Sequence, residues 1–362
     1  MTMTSWRAAR FVALAGALVA VLSLQRGSSA QNLTVSFADA LTLYEVGEYE
    51  SVIRGLRVSI AGDRERLIPM LAREAEAWIA SGSKAEVPRR RLVAAVFALE
   101  LGLAGLDTQW EITKRAVEWA CDALRRAGPP TEAERLWHLA SLALLEASFE
   151  PVALLSARGE TAALPLHLKH IAERFPREPR LALAQALLRE HEFWLNHIRF
   201  VTGVPRHDDS MASVAIPALQ VAAGHPETRA EARLRLGFLE HRRGNFETAL
   251  GHLAFAAEGD DDPTRVYLAH LFTGWAHEKG GRKADAIESF RKASAAVNGL
   301  SAALALGVRL YEQDERDEAD IVVMAALDPA QAVPDPWKLY GYGDFRRFPQ
   351  LIARLRALLQ GR

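Results

Sequence analysis

Two histidines and a glutamate in one short segment have the residue types of a zinc site. The segment HEFWLNH contains His191, Glu192 and His197. A zinc-protease helix needs two histidines four residues apart, about 40° around the helix, with a glutamate beside them as the general base. A separation of six residues turns His197 by about 240° from His191, onto the opposite side of the helix. The spacing therefore excludes a zinc-protease motif here.

A second pair of histidines keeps its side chains on one helical face. The segment HLKH contains His167 and His170, and a neighbouring helix of a hairpin could bring His191 to them as a third metal ligand. No feature of the sequence places carboxylates with these histidines. A helical metal-dependent hydrolase that uses these three histidines stays as an alternative function. Our main prediction is a protein with no catalytic residues, no resident metal and no cofactor.

Other reactive groups have ordinary structural interpretations. The runs His207–Asp209 and Asp260–Asp262 could hold a cation, but such runs are typical of hydrated loops and helix caps. Cys121, the only cysteine, lies on an apolar helix stripe, which favours a buried structural thiol. A single cysteine also excludes intrachain disulfides. We find no glycine-rich phosphate loop and no nucleophile elbow. The chain is predicted not to be an enzyme.

Composition indicates a folded chain without affinity for nucleic acid. Of its 362 residues, 49% are hydrophobic, which is enough to bury a large core. The net charge is −1, and lysines and arginines are spread along the chain instead of forming blocks. No overall field therefore draws the protein to nucleic acid or to an anionic membrane.

The first thirty residues have the pattern of an export signal. Arg7 and Arg10 precede an unbroken apolar run at 11–24, and residues 28–30 offer the small side chains of a cleavage site. The run is shorter than the roughly 20 residues that span a bilayer. We predict a signal peptide over residues 1–30 and a periplasmic or cell-envelope location in a bacterium. An uncleaved inner-membrane anchor is the alternative.

The elements that position all these residues are predicted to be helices. Apolar residues follow the helical period almost throughout the rest of the chain. Gly128 and Pro129 end one such stripe, and Thr131 and Glu134 have the spacing of a capping box at the start of the next. No strand-like alternation occurs with turn pairs. We predict an all-α chain of paired helices, with a seam between two halves at Thr202–Ser210.

A unit of two paired helices recurs in the second half of the chain. Gly237, Gly274 and Gly307 follow one another at steps of 37 and 33 residues, in the range of helical-repeat proteins. We expect small residues where the two helices of a hairpin cross, and larger apolar residues between neighbouring hairpins. One hairpin cannot bury its apolar face alone, so the units are predicted to stack.

These residues resemble the tetratricopeptide repeat (TPR) family, whose unit is a helix–turn–helix of about 34 residues. The matching positions include Leu-Gly in the first helix and Gly244 with Phe246 at the turn. The match covers residues 230–329, with a fainter echo around Gly47 and Tyr49. The resemblance implies a right-handed superhelical α-solenoid of stacked helix-turn-helix hairpins.

The last two units depart from the family pattern. Thr273 stands where leucine is usual, and Asp314 replaces the turn glycine. Residues 63–200 do not fit the period well, which leaves divergent repeats or a separate helical domain. We divide the chain into a signal peptide, a helical-hairpin region, TPR-like repeats, and a turn-rich segment with a capping helix. Their predicted ranges are 1–30, 31–201, 210–329 and 330–362.

The resemblance also implies a concave groove that is lined by the first helices and binds peptide or protein segments. Aromatic side chains would form its floor and charged side chains its rim. The alternative is that its aromatic residues simply pack between repeats. We therefore predict an exported, non-catalytic interaction scaffold with an unidentified protein partner. The predicted groove residues are Phe238, His241, Arg242, Trp275, Lys279 and Tyr311.

The C-terminal segment FRRFPQLIARLRALLQGR predicts a basic amphipathic helix. Such a helix can lie on a membrane surface or dock to a partner, which would make the protein a membrane-surface adaptor. We favour a helix that closes the last repeat, with Trp337 and Tyr340 packed beneath it. The apolar stripe and its surrounding arginines are Leu351, Ile352, Leu355, Leu358, Leu359, Arg346, Arg347, Arg354 and Arg356.

Overall fold

The structure is a computed structural model in which every regular element of the described part is a helix. The described residues are 43–44, 46–54, 96, 100, 131–146, 163–199, 209–258, 262–330, 333–341 and 345–361. No strand occurs among them, so the all-α prediction is confirmed for this part of the chain. The predicted signal peptide, Cys121 and His207 lie outside the described residues.

Between residues 209 and 327, the helices are joined by short connections. In chain order the described helices are α1 (Glu132–Glu146), α2 (Ala163–Arg174), α3 (Pro179–Arg199), α4 (Asp209–Ala223), α5 (Pro226–Arg242), α6 (Phe246–Ala257), α7 (Pro263–Lys279), α8 (Lys283–Ala296), α9 (Leu300–Glu312), α10 (Arg316–Leu327), α11 (Pro336–Tyr340), a 3₁₀ turn (Phe345–Arg347) and α12 (Phe348–Leu359). From α3 to α10, each helix packs against the next in sequence, and α5 also contacts α3 and α7.

The chain divides into two compact units. One contains residues 1–145 together with 347–362, and the other contains residues 146–346. The predicted seam at 202–210 falls inside the second unit, where α3 and α4 pack against each other. We refer below to the part from α5 to α10 as the repeat region.

Three hairpin turns of the repeat region have the same backbone geometry. Gly244, Gly281 and Asp314 have φ of +83°, +79° and +65°. In each turn this residue donates its N–H to the carbonyl three residues before it, and the next N–H donates to the carbonyl five residues before it. These two bonds define a Schellman motif, which normally uses glycine because a Cβ is strained at positive φ. Asp314 adopts this positive-φ conformation although it carries a Cβ.

The faint repeat near the N-terminus has this turn as well. Gly47 has a φ of +100°, and its N–H donates to the carbonyl oxygen of Tyr44 at 3.1 Å. The N–H of Glu48 donates to the carbonyl oxygen of Leu43 at 3.0 Å. The turn around Gly47 therefore has the hydrogen bonds of the three repeat turns, although it belongs to the other compact unit.

Glycines lie where the two helices of each hairpin approach most closely. A Cβ on Gly274 would lie 2.2 Å from Cε1 of Phe290, and one on Gly237 would lie 2.5 Å from Cγ of Leu253. A Cβ on Gly307 would lie 2.8 Å from Cγ2 of Val323. These separations are too short for real Cβ contacts, so the glycines permit the crossings. The prediction that small residues lie at the crossings is confirmed.

Candidate partner-binding surface

The six predicted groove residues differ widely in exposure. Phe238 is buried, with 3% of its surface exposed, whereas His241 and Trp275 are half-buried. Arg242 and Lys279 are exposed at the C-terminal ends of α5 and α7, and Tyr311 on α9 is 49% exposed. The predicted rim is therefore accessible, and the predicted floor is mostly covered.

Part of this cover comes from the chain itself. We call residues 333–341 the covering segment; it contains the short helix α11, which contacts α7. The indole of Trp337 lies with its centroid 5.4 Å from that of Phe238 and 5.3 Å from that of Trp275. The ring of Tyr340 lies 5.3 Å from Phe238 and 5.4 Å from Phe272. The edge-on geometry of these four contacts is favourable for aromatic pairs.

The carboxylate of Asp335 attaches the covering segment to two helices. It accepts a hydrogen bond from the N–H of Trp337 at 2.9 Å, which caps α11, and another from the N–H of Ser301 at 2.6 Å, in the first turn of α9. The hydroxyl of Tyr267 on α7 donates to Asp335 at 3.4 Å and accepts from the N–H of Ala302 at 2.9 Å. Burial raises the pKa of the Tyr267 phenol, so it stays protonated and can donate.

Tyr340 lies in a buried pocket formed by charged side chains. The Arg235 guanidinium lies 4.4 Å from the centre of its ring and donates to its carbonyl oxygen at 3.0 Å. The Tyr340 hydroxyl donates to the Glu190 carboxylate on α3. Burial, and then the charge of Glu190, raises the pKa of Tyr340 well above its ordinary value, so the hydroxyl remains a donor. The pocket thus contacts the ring, the hydroxyl and the backbone of one tyrosine.

The charges around this pocket compensate one another. Arg235 donates to Glu190 at 2.8 Å and to Glu231 at 2.9 Å, and all three side chains are buried. Arg346 also pairs with Glu231, and with Asp262 at 2.7 Å. Although burial raises the pKa of Glu231, the neighbouring arginines hold it well below its usual range. A buried charge without its partner would cost several kcal/mol, roughly, so the network specifies which groups can occupy the pocket.

His241 is a titratable group at the edge of the covered surface. Burial, and then the positive charges of Arg242 and Lys279, lower its pKa to about 4. Its ring lies 6.3 Å from that of Phe238, and within the described part of the chain its buried Nδ1 has no hydrogen-bond partner. The imidazole is therefore neutral near pH 7 and contributes an apolar face.

Helix α9, the first helix of the third hairpin, presents an open surface. Leu304 and Val308 on α9 are 46% and 52% exposed, and Tyr311 follows one turn later on the same side. The Tyr311 hydroxyl donates to Asp320 of α10 at 2.5 Å, which orients the ring. Val308 and Phe238 each follow the crossing glycine of their own hairpin. Equivalent repeat positions are thus covered on α5 and open on α9.

The histidines of the alternative metal site fall on α2 and α3. The side chains of His167, His170 and His191 are outside the part that the structure describes. Among the described side chains, no group of three or more histidine, cysteine, aspartate or glutamate residues is placed to hold a metal ion. Asp262, at the end of the acidic run 260–262, caps α7 by accepting from the N–H groups of Thr264 and Arg265.

The C-terminal helix α12 belongs to the other compact unit, with residues 1–145. Its apolar stripe is largely buried, at Ile352, Leu355 and Leu359. Arg356 pairs with Glu100 at 2.8 Å. The expectation that α12 closes the last repeat stays a prediction.

Trp337 and Tyr340, which we expected beneath this helix, pack on Phe238 in the repeat region. Within the described residues, the helices are all too short or too polar to cross a membrane. Comparison with known proteins finds no family model that matches the sequence and no similar curated protein.

Proposed function

We propose that the protein is an exported, non-catalytic interaction scaffold of the bacterial cell envelope. Its repeat region forms a TPR-like, right-handed superhelical solenoid, and the concave groove of that solenoid binds peptide or protein segments. The groove is lined by α5, α7 and α9, the first helices of three successive hairpins. The repeated Schellman turns and glycine crossings support the solenoid, because they give each hairpin the same local geometry.

One observation carries the proposal of a binding surface. A segment of the chain itself lies on α5 and α7 and is held by an aromatic cluster, a carboxylate and a buried tyrosine. Tryptophan and tyrosine are among the residue types that dominate binding energy at protein interfaces. The same surface continues onto α9, where Leu304, Val308 and Tyr311 are open. The scaffold would therefore bind a polypeptide along α9 towards α7.

Site-specific photo-crosslinking in the native host tests this surface. A photoreactive amino acid at Val308 should yield a discrete crosslinked partner, which mass spectrometry can identify. The same amino acid at Ile321, which is 69% exposed on the second helix α10 of that hairpin, is the matched control. Crosslinks of equal yield at both positions, or none at Val308, would contradict the groove assignment.

Charge reversal tests the rim. The double variant Arg242→Glu with Lys279→Glu should reduce the Val308 crosslink by an order of magnitude, roughly, because rim charges steer association. The control is Lys292→Glu with Arg316→Glu, two exposed cations on the second helices α8 and α10. Equal losses in both double variants would show that the effect is nonspecific.

Export is tested separately by fractionating cells that express a C-terminally tagged chain. We expect the tagged protein in the periplasmic fraction, with an N-terminus at Gln31. Retention in the inner membrane with an intact N-terminus would favour the uncleaved anchor instead.

A further inference from the structure

The covering segment has the burial pattern of a bound peptide. Asp335, Pro336 and Tyr340 are buried. Val333, which precedes them, and Lys338, which lies between Pro336 and Tyr340, are exposed. The segment lies outside the hairpin pattern, since α10 has already ended at Leu327. Its contacts are concentrated at a few anchor side chains, as in short peptides that bind a groove.

Each of the three anchor side chains, Asp335, Trp337 and Tyr340, contacts a different kind of chemical group. The Asp335 carboxylate accepts from a backbone N–H of α9 and from the Tyr267 hydroxyl. The Trp337 indole contacts aromatic rings, and the Tyr340 phenol donates to a buried carboxylate. Three different chemistries at fixed spacing give more sequence specificity than an apolar surface alone.

The surface beneath the segment keeps its own partners when the segment is removed. Arg235 retains its two ion pairs with Glu190 and Glu231, because both carboxylates belong to α3 and α5. The Tyr267 hydroxyl retains its bond with the N–H of Ala302. Departure of the segment therefore leaves no buried charge without a partner. Removal of the segment is costly mainly when it leaves such a charge unpaired, so this cost is avoided here.

We propose that the covering segment is an internal competitor for the groove. The external ligand is a polypeptide with the same spacing: a carboxylate, an aromatic side chain two residues later, and a tyrosine three residues after that. This inference rests on the proposed function, because it assigns the ligand class of the same groove. A tethered competitor acts at an effective concentration of order millimolar, so an external ligand binds the intact chain weakly unless it also contacts α9.

The test uses a fluorescein-labelled synthetic peptide, AVPDPWKLYGY, that copies residues 332–342. Its binding to the full chain is measured by fluorescence anisotropy. The opened chain carries Asp335→Asn with Trp337→Ala, which weakens two anchors and leaves Tyr340 in place. The matched control carries Val333→Ala with Lys338→Ala, two exposed positions of the same segment. We expect the opened chain to bind the peptide at least about tenfold more tightly than the wild-type and control chains.

Altered peptides test the spacing without affecting the fold of the protein. A Tyr340→Phe peptide should bind the opened chain about tenfold more weakly, because Glu190 then keeps its bond from Arg235 but has no hydroxyl donor at its other oxygen. A scrambled peptide should not bind at micromolar concentration. Circular dichroism checks that the opened chain stays helical. If it does not, the full-length Tyr340→Phe chain, which lacks only one hydroxyl, replaces it in the same measurement.

Two outcomes overturn the inference. Equal affinity of all three chains for the peptide would show that the segment does not compete for the surface. No binding to a folded opened chain, or equal binding of the scrambled peptide, would show that the surface does not read this spacing. Neither result affects the crosslink from Val308, so failure of the ligand class is distinguishable from failure of the proposed function.

Discussion

The first helices α5 and α9 have equivalent sequences around their crossing glycines but opposite exposure. Phe238 follows Gly237 and is 3% exposed, whereas Val308 follows Gly307 and is 52% exposed. The helices differ in what lies above them, since Trp337 and Tyr340 cover Phe238. Position in a repeat therefore decides where a side chain points, and a distant segment decides whether it meets water.

The largest difference between the covered and open surfaces should come from replacing a tyrosine in each. Tyr340→Ala removes a buried ring and one of the two donors to Glu190, so we expect a loss of about 3–5 kcal/mol in the free energy of unfolding. Tyr311→Ala on the open helix should leave stability unchanged within error. Urea titration followed by circular dichroism measures both. A similar result for the two variants would mean that Tyr340 is not an anchor.

The closeness of the helix crossings gives the next largest effect. Gly274→Ala places a Cβ against the Phe290 ring, and we expect a loss of about 1–3 kcal/mol from overpacking. Gly307→Ala should cost less, because its clash with Val323 is milder and lies at the open end of the repeat region. Gly251→Ala on α6 is the control: nothing lies near its added Cβ, so it should stabilise by about 0.5–1 kcal/mol. Urea midpoints in any other order would contradict this view of the crossings.

Acid should loosen the covered part of the repeat region before the open hairpin. Burial lowers the pKa of His241 to about 4, and it also lowers those of His252, His270 and His277, whereas α9 and α10 contain no histidine. In the unfolded chain the histidines become protonated near pH 6.5. In the folded chain His241 becomes protonated only near pH 4. Stability is therefore highest above pH 6.5 and falls as the pH decreases from 6.5 towards 4.

Hydrogen exchange at pH 7.5 and pH 5, corrected for the intrinsic rate, measures this difference by region. We expect protection to fall in peptides from α5 to α8 more than in peptides from α9 and α10. His241→Gln should reduce the pH dependence of protection in the peptides from α5 to α8. Uniform loss of protection over all six helices would argue against the histidines as its cause.

The smallest predicted effect is at the turn of the open hairpin. Asp314 has a φ of +65°, where a Cβ is strained, so Asp314→Gly should stabilise by about 0.5–1 kcal/mol after the entropy of the unfolded glycine is subtracted. Gly281→Asp, at the equivalent turn of α7 and α8, should destabilise by a similar amount. Urea midpoints measure both changes. A loss of stability in Asp314→Gly would mean that its side chain, which pairs with Arg316 at 3.0 Å, is the stronger influence.

Much of the local structure was predictable from short-range patterns. Glycine spacing correctly predicted the helix crossings, and the turn around Gly47 has the hydrogen bonds of the later turns. The amphipathic pattern of α12 correctly predicted a helix. Such a pattern does not specify which surface the apolar stripe covers. The residues predicted to line a groove lie on the first helices α5, α7 and α9. Their exposure was not predictable, for the same reason.

Glycines, turn residues and helical periodicity determined by themselves that this chain forms helical hairpins. Their physical effect acts within a few residues, through backbone strain and the spacing of apolar side chains. Only the tertiary structure decided that Tyr340 meets Arg235, 105 residues away in sequence, and that Phe238 lies beneath Trp337. An apolar or charged side chain is satisfied by any complementary surface, so the choice among distant partners comes from the packing of the whole chain.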